Sequence, residues 1–180
     1  MADVHVRAAD PGSADDAELL AAAVRRVRTY LKPWEPYRAE VYYTAEGQAA
    51  RLADGGRRWF AVDEADGAVV GLLTVSGIVL GPFRSGSVGY WVDPAAGGRG
   101  VATGLLREVC RAAPEELGLH RLEACTLLDN HASQRVLAKC GFTRIGTAPR
   151  YLHIDGEWRD HHLFQRVLHD DPPPVPQAAA

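Results

Sequence analysis

Apolar residues recur in this chain with two periods, and the order in which those periods alternate predicts the architecture. Val4 to Ala8 alternates apolar with polar, as a half-buried strand does, and Asp10-Pro11-Gly12 turns the chain. Ser13 followed three positions on by Asp16 predicts a helix start. Leu20, Val24, Val27 and Leu31 then form the buried stripe of a first helix, which Pro33 ends. An aromatic segment follows (Tyr30, Trp34, Tyr37, Tyr42, Tyr43), readable as core packing or as a pocket wall, and a second helix is expected near Ala45 to Leu52. Strands are read at Arg58 to Val62, Ala68 to Val79 and Ser87 to Val92, joined through Asp66-Gly67 and Gly81-Pro82 as an antiparallel meander. Val101, Leu105, Val109 and Ala112 make a helix to Ala113, and Leu119 to Leu127 a further strand. Asn130 is placed to cap a last helix with Val136, Leu137 and Cys140 on its apolar face, stopped by Gly141. Phe142 to Leu152 and His161 to Val167 read as closing strands around Asp155-Gly156.

One junction carries chemistry. Between the strand ending at Val92 and the helix starting at Val101 lie Asp93-Pro94 and the glycines Gly97, Gly98 and Gly100. Strand, glycine turn and helix aim free backbone N–H groups and the positive end of a helix dipole at one point, where anions bind. A nucleoside-triphosphate loop is excluded because Val101-Ala102 follows Gly100 where Lys-Ser or Lys-Thr is required. A dinucleotide fingerprint lacks its third glycine at Thr103. A phosphorylated cofactor of another kind, or a plain tight turn, remains.

Composition narrows the class. The chain has 180 residues, 47% hydrophobic and 24% charged, with a net charge of -3, which suits one globular domain and no nucleic-acid surface. Cys110, Cys125 and Cys140 each fall in a regular apolar segment, so buried reduced thiols and a cytoplasmic setting are expected. No apolar run has membrane-spanning length, and no metal pair is apparent; His161 and His162 point to opposite strand faces. The Pro/Ala-rich tail, residues 170–180, is expected to be disordered.

Three stretches together resemble the GNAT superfamily of N-acetyltransferases. Gly97-Gly98-Arg99-Gly100-Val101-Ala102 is similar to that family's acetyl-CoA pyrophosphate loop, Q/R-x-x-G-x-G/A, with Gly97 in place of the leading Gln or Arg. Asn130 to Phe142 resembles the N-x-x-S-x-x-V-L-x-K-x-G-F segment of the branch that acetylates ribosomal-protein N-termini, and Gly156-Glu157-Trp158-Arg159-Asp160-His161 resembles its closing hairpin. The resemblance implies a single α/β domain of α+β type over residues 1–169. Its centre is a mixed, mostly antiparallel twisted sheet of about seven strands with about four helices.

The resemblance also implies a mechanism. Backbone groups of Gly97, Gly98, Arg99, Gly100, Val101, Ala102 and Thr103 would hold the pyrophosphate. Tyr90, Trp91 and Val92 would pair with pantetheine where the neighbouring strand splays away, and Asn130 and Lys139 would add cofactor contacts. The superfamily's usual tyrosine acid falls at Leu137, so the branch points to Ser133, beside Asn130, for protonating the leaving thiolate. Glu123 is the candidate base, with His120, His153 and Asp160 weaker; Trp34, Tyr37, Tyr151 and Asp160 are candidate acceptor contacts.

An α-amine with a pKa of about 8 costs about 1 kcal/mol to deprotonate at neutral pH, and a lysine more than about 4 kcal/mol. Weak base machinery therefore suits a protein or peptide N-terminus, a ribosomal protein's being the one implied, attacked directly in a ternary complex. A small-molecule amine, or a catalytically silent acyl-CoA-binding module, is the alternative. Either a monomer or a homodimer is compatible.

Overall fold

In the computed structural model, which describes residues 4–173, the elements follow the expected order. β1 (Val4–Ala8) leads to α1 (Ala14–Leu31), a 3-10 turn (Glu40–Tyr43) and α2 (Ala45–Leu52). The meander is β2 (Arg57–Asp63), β3 (Val69–Val79) and β4 (Ser85–Val92). A short 3-10 turn (Pro94–Ala96) then precedes α3 (Val101–Leu117), β5 (Arg121–Leu127), α4 (His131–Lys139), β6 (Thr143–Ile154) and β7 (Glu157–Val167). The seven strands form one sheet in the order β1-β2-β3-β4-β5-β7-β6, antiparallel except for β4 against β5.

Each face of the sheet has its own core. Trp59, Leu73, Val75, Leu122 and Phe164 pack under α3 and α4 against Leu105, Leu106, Val109 and Leu137. Phe60, Val62, Val69 and Leu72 pack on the other face under α1, against Leu20 and Val24 of its stripe. The Ser13 hydroxyl accepts from Asp16 N at 3.1 Å, the cap its spacing predicts. The Asp16 carboxylate meanwhile takes Arg7 at 2.5 and 2.9 Å, which ties β1 to the start of α1.

Element boundaries depart from the apolar pattern at a proline and at a turn. α3 runs past Ala113 through Pro114 to Leu117, because a proline in a last turn forfeits one hydrogen bond and Gly118 at φ 66 supplies the stop. β7 begins at Glu157, so the closing hairpin is tighter than the apolar pattern indicated. Cys125 is half-buried, whereas Cys110 and Cys140 are buried. The tail lies largely outside the described residues, and residues 170–173 have no regular structure.

One departure from regular pairing organises everything below. β4 and β5 pair only over Ser85–Val88 against Arg121–Ala124. Beyond Val88, Gly71–Thr74 of β3 keep Gly89–Val92, while His161–Leu163 of β7 keep Cys125–Leu127. The two central strands part, and the sheet opens between them.

Candidate active site

Two cavities meet at this opening. The first, about 490 Å³, lies between the end of β4, the start of α3 and α4. The second, about 550 Å³, lies on the α1/α2 face over β2 to β5 and reaches β6 and β7. Leu31, Trp34, Tyr90, Trp91, Asn130 and Ser133 line both.

Main-chain groups dominate the first cavity. Asp93 caps the Pro94–Ala96 turn by accepting from Ala95 N at 2.9 Å, and Arg26 holds the same carboxylate at 2.5 Å. Burial raises the Asp93 pKa, but Arg26 and the Ala95 amide outweigh it and the net shift is downward. Gly98 and Gly100 sit at φ 73 and 84, left-handed conformations that side-chain-bearing residues resist, whereas Gly97 is extended at φ -63. A Cβ on Gly97 would nonetheless stand 3.0 Å from Pro94 O, so the missing Gln or Arg side chain leaves a tighter turn. Gly100 gives α3 no side-chain cap, and among the described residues the amides of residues 98–103 donate to no backbone or side-chain acceptor. Consecutive free N–H groups at the positive end of a 17-residue helix make a cradle for a pyrophosphate.

Cationic side chains rim that cradle. Lys139 lines the cavity beside Arg135, four residues earlier on α4, and neither has a carboxylate partner among the described residues. The i, i+4 spacing of Arg135 and Lys139 puts both on one face of α4, which is the sequence signal for Arg135. Arg99 does not line the cavity; its guanidinium lies 3.8 Å from Asp63. Trp91 keeps its indole N–H buried without an acceptor where the cavities join.

At the junction, the Tyr90 hydroxyl lies 2.7 Å from Ser133 Oγ and 3.2 Å from the Ser133 carbonyl oxygen. Burial pushes the Tyr90 phenol up to about 12 against a smaller opposing effect of Ser133, so both hydroxyls stay protonated at neutral pH. Asn130 Oδ1 accepts from Ser133 N at 3.1 Å and thereby fixes the first turn of α4. Leu137, in the superfamily's tyrosine position, is fully buried core. A tyrosine hydroxyl does reach the junction, from β4 rather than α4, and sequence order gave no sign of it.

The second cavity sorts the remaining candidates. Trp34 lines it; Tyr37 is 86% exposed and borders a separate groove near Asp155. Glu123 lines neither cavity and is held by Arg121 at 2.6 Å. Asp160 accepts from Arg150 N at 2.8 Å, pinning a bulge where Arg150 has φ 50. Tyr151 leans on the His161 ring at 5.6 Å. His120 and His153 stand outside both cavities, but His161, 2% exposed, lines the second. Its Nδ1 lies 3.0 Å from Arg159 O, and since a carbonyl only accepts, Nδ1 is the donor there, which in the neutral ring leaves the lone pair on Nε2. The pairing Leu127↔His161 places it level with the parted strands.

Known proteins agree with this geometry. Residues 7–143 match the acetyltransferase (GNAT) domain family. The [ribosomal protein uS5]-alanine N-acetyltransferase of Escherichia coli is 33% identical over 156 residues, 82% of this chain and 80% of that protein. Among solved structures, the ribosomal-protein-S5-alanine acetyltransferase of Vibrio fischeri superposes with a TM-score of 0.88 at 31% identity, covering 96% of each chain. Mycobacterium smegmatis RimJ, in complex with CoA-disulfide, superposes with a TM-score of 0.79 at 30% identity, over 91% of this chain and 81% of that one. With the amide cradle and the parted strands on one side and this match over most of its length on the other, the chain belongs to the GNAT acetyltransferase family and uses acetyl-CoA.

Proposed function

We propose that the protein transfers acetyl from acetyl-CoA to the α-amine of a protein or peptide N-terminus, of the kind that its relatives' names assign to ribosomal protein S5. The observation that carries this reading is the junction itself. A cofactor cavity and an acceptor cavity open onto one pair of hydroxyls, Tyr90 and Ser133, from opposite sides of the sheet.

The chain's own groups suit direct transfer. Burial raises the thiol pKa of Cys110 (to about 11), Cys125 and Cys140, so no thiolate is poised to take an acyl group. When bound, acetyl-CoA supplies an activated acyl group whose departure leaves a thiolate. Backbone amides of Gly98 and of residues 100–103 bind its pyrophosphate, and Arg135 and Lys139 add charge. The free edges of Gly89–Val92 orient its amide-bearing arm. Ser133 Oγ, backed by Tyr90, donates a proton to the departing sulfur. On the other side His161 Nε2 accepts the proton that the attacking nitrogen sheds, and the low pKa of an α-amine makes that single weak base sufficient.

Thiol release in the presence of short peptides tests the reading. Peptides beginning with Ala or Ser should be turned over, and the same peptides blocked at the α-amine but carrying lysine should not. Turnover confined to polyamines or aminoglycosides would overturn the acceptor assignment, and cofactor binding without turnover across the panel would identify a silent acyl-CoA-binding module.

A further inference from the structure

The far end of the acceptor cavity carries a charge cluster that acetyl transfer itself does not use. Arg38, Arg51 and Arg58 all line it, from the loop after α1, from α2 and from β2. Tyr42 stands between two of them, with the Arg38 and Arg51 guanidinium carbons 4.8 and 4.6 Å from its ring centre. Two carboxylates answer three cations. Asp54 holds Arg58 at 2.8 Å, and Glu35 lies 3.6 Å from Arg38. Arg51 has no carboxylate within 4.0 Å among the described residues, and its hydrogen bond goes to a neutral acceptor, Gln48 Oε1, at 2.8 Å. Nε of Arg38 and of Arg58 are buried without acceptors, so the fold leaves donors of this cluster unsatisfied.

Crowding of like charge registers on Arg51, whose pKa falls through burial first and through the neighbouring Arg58 and Arg38 after it, against the opposing effect of Tyr42 and Asp54. Burial raises the Glu35 pKa, which weakens it as a counter-ion. Half-burying two guanidiniums against one ring beside a third that is buried is costly unless an anion joins them. Position gives that anion a length. Arg58 pairs with Thr74 and Thr74 with Gly89, where β4 leaves β5, so the cluster's strand anchor is two strand spacings, about 10 Å, from the junction. An extended peptide advances about 3.4 Å per residue, so a side chain two or three residues beyond the reacting amine reaches the cluster.

We propose that Arg51, with Arg38 and Arg58, forms a carboxylate subsite that selects acceptors bearing an acidic side chain two or three residues beyond the acetylated amine. The subsite deepens the N-terminal reading and rests on it. A polyamine has the wrong charge for it, and a free amino acid places its carboxylate too near the amine.

The test compares acceptors in pairs. Peptides that begin with Ala and carry Glu at the third position are matched with the same peptides carrying Gln, beside free alanine and spermidine. In the wild-type enzyme kcat/KM should favour the Glu peptide by about 10- to 100-fold, the worth of a charge-assisted hydrogen bond. In Arg51→Gln that ratio should fall to about 1, and Arg51→Lys should recover part of it; affinity for CoA and the melting temperature monitor folding of each variant. Equal rates for the Glu and Gln peptides in the wild type, or a ratio that survives Arg51→Gln, would overturn the subsite while leaving N-terminal transfer standing. Turnover of spermidine with no peptide turned over would overturn both.

Discussion

The two cavities are built from different materials. On the α3 side the proposed binding groups are the amides of Gly98 and of residues 100–103, set by two left-handed glycines and one helix start. On the α1 side they are side chains: Trp34 and Arg38 from a loop, Arg51 from α2, Arg58 from β2, and His161 from β7. Main-chain sites depend on a few consecutive residues and bind what every family member binds. Side-chain sites depend on distant positions and are free to differ with the acceptor. The cofactor end of the reaction is therefore local in the chain, and the acceptor end is dispersed.

The largest expected effect breaks the first half alone. Gly100→Glu forces a side-chain-bearing residue to φ 84, at a cost of about 1–3 kcal/mol, and sets a carboxylate among the amides meant for a pyrophosphate. A Cβ there meets nothing within 4 Å, so the fold has room for it. Affinity for CoA, read by calorimetry, should drop more than about 100-fold, while the melting temperature falls only by the several degrees that about 1–3 kcal/mol of backbone strain accounts for. Unchanged affinity would show the turn to be structural only.

Next come the hydroxyls shared by both halves. Ser133→Ala and Tyr90→Phe should each lower kcat by about 100-fold with CoA affinity retained. Because the two hydroxyls lie 2.7 Å apart and act as a unit, the double variant should lose far less than the product of the single losses. Losses that multiply would separate their roles.

This division also accounts for what could be read before the fold was known. The glycine turn, the Asn130 cap, the Gly141 stop at φ 78 and the succession of helices and strands along the chain follow from short-range rules, because each is decided within a few residues. Tyr90 and Ser133 meet across 43 positions, and nothing local at either residue announces the other. Arg58 lies in a correctly expected strand, yet its burial on the α1 face depends on Asp54 and on the open cavity above it. Glu123 satisfied a local argument, a carboxylate on the right strand, and was claimed by Arg121 two residues away. The Arg38–Tyr42–Arg51 stack needs a 3-10 turn folded onto α2, which no periodicity reports.

A third change reaches the second half alone. Gly47 lies in α2 where an added Cβ would fall 1.9 Å from the Val41 carbonyl oxygen, a backbone atom that cannot swing aside. Gly47→Ala must therefore push α2 away from the 3-10 turn, and this overpacking should cost about 1–3 kcal/mol in denaturant titration. The shift carries Arg51 with it, so KM for the acceptor should rise while CoA affinity holds. A variant as stable as wild type would mean that the turn and α2 slide freely past each other.

The smallest effect sharpens how the halves are joined. Arg26 on α1 reaches across to Asp93, at the start of the cofactor turn, and to Val69 O at 2.6 Å, so the acceptor-side helix braces the cofactor-side loop. The Asp93 pKa is lowered on folding: burial opposes the shift, but Arg26 and the Ala95 amide prevail. A carboxylate with a depressed folded pKa contributes stability above its unfolded value, about 3.9, and that contribution disappears as pH falls through the folded pKa. Asp93→Asn should thus cost about 1–3 kcal/mol at neutral pH, and the gap to wild type should narrow only below about pH 4. Urea midpoints for both proteins across pH 3 to 7 read the difference directly, because other titrating pairs, such as Arg7 with Asp16, are common to both. A gap that stays constant across that range would mean that Asp93 acts as a cap alone and that Arg26 couples α1 to the turn through Val69 O.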